Sequence, residues 1–126
     1  MRTALRVVAG LNGVFQMIVG LLCTLAPDAA AKVFELGQTG PAILALTRMF
    51  GGLLFGSGLL SGLIARDPDR NPDLLVLASA ACVANVSADF IVVSSGELAF
   101  KHLAGGILIQ VVLVVLAIGH LRTRSR

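Results

Sequence analysis

Four apolar runs, at about residues 4–26, 41–65, 73–94 and 97–121, account for most of the chain, and short polar segments separate them. An α-helix rises ~1.5 Å per residue and a bilayer's hydrocarbon core is ~30 Å thick, so about 20 apolar residues cross it. Each run is long enough to do so. The breaks carry helix-start chemistry. Gly40 precedes Pro41, and Asn71 precedes Pro72, a proline whose missing N–H is harmless at a first helical position. Ser94 followed by Glu97 reads as a capping box for the last run. Between the first two runs, Ala31, Val33, Phe34 and Leu36 interleave with Lys32 and Glu35, which predicts a short interfacial amphipathic segment at about 29–36. The compact stretch RDPDRNPD at 66–73 predicts that the second and third helices are neighbours of opposite direction.

Composition sharpens this picture. The 126 residues are 56% hydrophobic and 13% charged, with a mean hydropathy of +0.91. So apolar a chain needs lipid around it, which excludes a soluble enzyme, a nucleic-acid partner and a disordered chain. The excess of basic residues reports topology instead. Arg2, Arg6, Arg66, Arg70, Arg122, Arg124 and Arg126 fall on one side of the spans, against Lys32 and Lys101 on the other. The positive-inside rule therefore places both termini in the cytoplasm. The first run is longer than the apolar region of a signal peptide, so it is expected to be retained. The expectation is an all-α integral membrane protein in a bacterial-type inner membrane, with residues 1–126 forming one four-span domain, an antiparallel four-helix bundle.

Within the spans, polar residues recur at helical spacing. Asn12 and Gln16 share one edge, as do Asn85 and Asp89, then His102, Gly106 and Gln110, and lastly Arg48, Gly52 and Gly56. Turning these edges toward one another avoids unsatisfied amides and charges in hydrocarbon. Counted from the outer surface, Arg48 lies roughly 10 Å deep and Asp89 roughly 8 Å, so the two are expected to pair. Gln16, Asn85 and Gln110 follow at about 13–15 Å, with Asn12 deeper. One reading makes the pair an internal staple and the amides interhelical hydrogen bonds. The other makes the column a small binding site, because intramembrane ionisable residues are site candidates. The candidate ligand-binding residues are Arg48, Asp89, Asn85, Gln16, Gln110 and Asn12.

The glycine pairs Gly52/Gly56 and Gly58/Gly62 have the small-xxx-small spacing that permits close helix approach, within the bundle or in a homodimer. Cys23 and Cys82 lie inside apolar runs without metal or redox spacing and read as free, buried thiols. His102 and His120 sit at helix ends with no second ligand one turn away, which reads as solvated termini rather than haem or metal ligands. No residue set suggests self-contained catalysis, and Arg48 and Asp89 are the sole acid–base candidates.

The segment RMFGGLLFGSGL, residues 48–59, resembles the DoxX-like superfamily of small four-helix membrane proteins. The resemblance in architecture covers nearly the whole chain, and the residues that carry it are Arg48 and the glycines after it. What it implies is limited: some members of that superfamily are membrane subunits associated with thiosulfate or quinone redox chemistry, many have no assigned activity, and nothing in this chain matches a redox centre of its own. Small multidrug transporters carry a glutamate in their first helix, where this chain has Asn12 and Gln16. Fluoride channels have a third-helix signature that VANVSADFIVV does not reproduce. The functional expectation is an accessory subunit of a larger membrane complex, or a binder of a quinone-like or lipid-like molecule. Quinone is the one cofactor considered. The alternative is a proton- or ion-coupled small dimeric transporter using Asp89.

Overall fold

A computed structural model describes residues 1–35, 40–70, 72–94 and 100–124. They form five helices: α1 (Arg2–Leu25), α2 (Pro27–Val33), α3 (Pro41–Arg66), α4 (Pro72–Ser94) and α5 (Phe100–Arg124). Four of these are long and apolar enough to cross a membrane. Their outward surface suits lipid, with Leu25, Leu53, Met49 and Ile91 among the most exposed side chains. The chain is therefore a helical, multi-pass membrane protein by length and composition of its helices.

The breaks between helices follow from local chemistry. Ala26 leaves the helical region, with φ −133° and ψ 62°, as the residue before a proline tends to do, and Pro27 then opens α2. Asp28 in the first turn of α2 and Lys32 in its last complement the helix dipole. This helix occupies the start of the predicted interfacial segment, but it is not a surface ribbon. Pro27, Ala30 and Ala31 are buried because α2 packs on α1 and α3, whereas Val33 is exposed. Pro41 opens α3 and Pro72 opens α4, as expected. The final helix is described from Phe100, and the expected start near residue 97 lies outside the described residues. Ser94 is the last residue of α4, and its hydroxyl donates to the Ile91 carbonyl at 2.8 Å, closing the helix it belongs to. Leu36, Asn71, Glu97 and the His102 side chain lie outside the described residues.

Each long helix touches its chain neighbour among the four, and α5 also touches α1. The most extensive contact is α1 on α3, where the start of one helix meets the end of the other. Arg6 donates from its guanidinium to the carbonyls of Ala65 and Arg66, both at 2.9 Å, satisfying orphan acceptors at the end of α3. Further along, glycines permit near contact of the two backbones. A methyl on Gly20 would lie 2.6 Å from the Phe55 nitrogen, and one on Gly51 would lie 2.6 Å from the Gly20 carbonyl oxygen. Gly13 and Gly58 are nearly as close, a methyl on either lying 2.9 or 2.8 Å from the other's carbonyl oxygen. The expected pair Gly52 and Gly56 therefore does not make this contact. A methyl on either would meet nothing within 4 Å, because both point away from α1. At Gly62 a methyl also has open space, although the Gly62 nitrogen lies close to Gly13.

The core is lopsided. Leu5 and Ala9 of α1, Ile64 of α3, Leu75, Ala78 and Cys82 of α4, and Leu113 and Ala117 of α5 form one buried cluster. These residues bring together the start of α1, the end of α3, the start of α4 and the end of α5, so that the buried apolar core sits in this half of the protein. Its rim is ionic. Asp69 accepts from Arg2 Nε at 2.7 Å and lies 2.8 Å from His120 Nε2. His120 is thus no solvated terminus: it is 6% exposed, tied to the turn between α3 and α4. Cys23 and Cys82 are both free and buried.

Candidate functional site

The other half of the protein is hollow. A cavity of about 360 Å³ lies between α1, α3, α4 and α5, with Phe34, just after α2, at its edge. Aliphatic and aromatic side chains make most of the wall, including Phe15, Val19, Ile43, Phe50 and Leu103. Five polar side chains interrupt it: Gln16, Thr47, Asn85, Asp89 and Gln110. This composition, a largely apolar wall with a few convergent polar groups, is typical of small-molecule sites.

Helical periodicity explains how these side chains arrive. The buried face of α1 runs Leu5, Ala9, Asn12, Gly13, Gln16, Gly20 and Cys23, at steps of three and four. Against α3 this face needs glycine, and between the glycines it turns amides inward. Gln16 is 1% exposed, and neither its Oε1 nor its Nε2 has a hydrogen-bond partner. Across the cavity on α5, Gln110 is 5% exposed and its Oε1 is also unpartnered. An unsatisfied buried polar group costs roughly 1–3 kcal/mol, which makes such atoms candidates for meeting a guest. Thr47 is self-sufficient, since its hydroxyl donates to the Ile43 carbonyl at 2.8 Å.

Asn85 and Asp89, one turn apart on α4, are half-buried on the cavity wall. Of the six candidate ligand residues, Gln16, Asn85, Asp89 and Gln110 share this cavity. Asn12 does not. It lies one turn from Gln16 toward the half that holds the core, and its Nδ2 donates to Ser61 Oγ at 2.9 Å while Oδ1 has no partner.

Arg48 is also off the cavity. It is exposed, and no ion pair joins it to Asp89 among the described residues. The reason is rotational. Thr47, Phe50 and Leu54 share the cavity face of α3, and one further residue turns Arg48 about 100° away. The glycine contact with α1 holds α3 at that rotation. Matched depth is an incomplete criterion for meeting, because it says nothing about the facing of each helix.

Sequence reasoning missed the aromatic part of the wall. Phe15, Phe34 and Phe50 all line the cavity, yet only Phe34 carried any signal, as the apolar member of the segment after α2. Among the described residues, no group of three or more His, Cys, Asp or Glu side chains is arranged to hold a metal ion. The wall offers hydrogen bonds, one carboxyl group and apolar contact. In comparisons with known proteins, no family model, no curated protein and no solved structure matches the chain.

Proposed function

We propose that the chain is an inner-membrane, antiparallel four-helix bundle with both termini cytoplasmic, and that it binds an amphipathic small molecule in the cavity around Gln16, Asn85, Asp89 and Gln110. Gln16 carries this reading. A buried carboxamide with both polar atoms unpartnered, on the wall of an apolar cavity, is matched by a guest that brings an apolar body and a polar head. The positive-inside bias supports the orientation, setting the ionic rim in the cytoplasm and the hollow half toward the outer leaflet.

The pattern of unpartnered atoms favours a lipid-like guest over a quinone. Gln16 Oε1 and Gln110 Oε1 both need a donor, and a quinone's carbonyl oxygens only accept, so a quinone would meet Gln16 Nε2 alone among these three unpartnered atoms. A head bearing O–H or N–H groups suits these positions. Placement as an accessory subunit of a larger complex, in line with the DoxX-like resemblance, is compatible with such a site but adds no contact to it.

The test is extraction in native-membrane discs followed by mass spectrometry of the small molecules retained. The wild-type protein is expected to carry an amphiphile that an Ala88→Phe variant, filling the cavity from α4, has lost. Equal retention by both overturns the reading. One observation favours a second reading, the proton- or ion-coupled transporter: Asp89 has no ion pair among the described residues. That reading requires Asp89→Asn to abolish coupled flux in liposomes while leaving the fold intact.

A further inference from the structure

Resting on the cavity reading above, we infer that the guest's head is cationic: the site selects an alkylammonium amphiphile through Asp89. The argument is one of charge complementarity. Asp89 is the one carboxylic acid among the described residues that line the wall, and none of those residues is Lys, Arg or His. Two described cations of the same spans, Lys101 and Arg48, are engaged or turned elsewhere. Lys101 lies 3.4 Å from Glu35, both well exposed, and Arg48 faces away from the cavity.

A carboxylate among apolar side chains at membrane depth is costly without a positive partner, and the described residues supply none. An anionic head, a fatty acid carboxylate or a lipid phosphate, would add a second negative charge with nothing to offset either. A neutral alcohol has one O–H to donate, to an amide oxygen or to Asp89, and brings no charge to balance the carboxylate. A primary ammonium brings positive charge to Asp89 and three N–H donors for the waiting acceptors Gln16 Oε1 and Gln110 Oε1. Phe15, Phe34 and Phe50 add rings whose faces attract cations. Size is consistent as well, since 360 Å³ equals the liquid volume of about a dozen waters at ~30 Å³ each, room for a head and a medium-length chain.

The experiment uses the full chain in phosphatidylcholine nanodiscs and a photoreactive decylamine with a diazirine in its chain. Unlabelled decylamine, decan-1-ol and decanoate then compete for labelling of peptides containing Gln16 and Gln110. Decylamine is expected to compete at a concentration lower than decan-1-ol by at least about tenfold, with decanoate weakest. In Asp89→Asn that advantage is expected to shrink to about twofold while decan-1-ol competes as before, which also reports an intact cavity. Should Asp89→Asn lose decan-1-ol binding too, Asp89→Glu decides, because it keeps the carboxylate and is expected to keep the preference. Equal competition by amine and alcohol in the wild type overturns charge selection and leaves the cavity reading standing. Absence of saturable labelling at those peptides by any competitor-sensitive probe overturns the cavity reading itself.

Discussion

Gly13 of α1 and Gly58 of α3 meet backbone to backbone: a methyl on Gly13 would lie 2.9 Å from the Gly58 carbonyl oxygen, and one on Gly58 would lie 2.8 Å from that of Gly13. Gly20 and Gly51 repeat the contact two turns away. This seam fixes the rotation of α3, and through it the choice of side chains that reach the cavity.

Valine at Gly20 or Gly58 should therefore destabilise the protein by about 1–3 kcal/mol, the usual range for overpacking. Alanine at Gly52 or Gly56 should be neutral, or stabilising by up to about 1 kcal/mol through helix propensity. Unfolding in mixed micelles by titration with a denaturing detergent measures both, and equal sensitivity at the two pairs would contradict the seam.

Gln16→Met keeps the side chain's volume but removes two unpartnered polar atoms. Without guest it should gain roughly 1–3 kcal/mol of stability, and it should lose affinity for any guest held there. A structural amide behaves in the opposite way, its removal lowering stability. Unfolding measured with and without added decylamine separates the two.

Arg6 bridges two carbonyls at the end of α3 with one planar group. Arg6→Ala should cost about 1 kcal/mol, given the exposure of the site, and Arg6→Lys should recover less than half, because an ammonium does not span both acceptors as the guanidinium fork does. Faster amide hydrogen exchange confined to the last turn of α3 is the expected signature.

Asp69 joins Arg2 and His120, and so ties the first helix to the last. A double-mutant cycle on Asp69→Ala and His120→Ala should give a coupling of about 0.5–3 kcal/mol. The coupling between Asp69 and the more exposed Arg2 should be smaller, below about 1 kcal/mol. Additive effects at both pairs would show the rim to be energetically idle.

The proposed orientation is open to labelling. In a Cys23→Ser, Cys82→Ala background, a membrane-impermeant maleimide should label Lys32→Cys in intact cells and Arg70→Cys only after permeabilisation. Both positions are exposed. The reverse pattern would invert the orientation.

The number of spans and most of their limits were legible in the sequence because they depend on run length and on proline, both local properties. Pro41 and Pro72 open helices where expected. The inward edge of α1 was legible for the same reason: Asn12 and Gln16 share a face whatever surrounds them. Gln16, Asn85, Asp89 and Gln110 were likewise readable as one set, since each is the polar edge of its own helix.

Only tertiary structure decided how those helices are turned against each other. Sequence periodicity gives angles within one helix, not between two. Thus Arg48, expected to meet Asp89, faces elsewhere, and Gly51 makes the close contact expected of Gly52 and Gly56, while of the pair Gly58 and Gly62 a methyl would be crowded only at Gly58. The cavity belongs to the same class of fact. Its wall gathers Phe15, Phe34 and Phe50 from distant parts of the chain, and a void of that kind is a property of the packed whole.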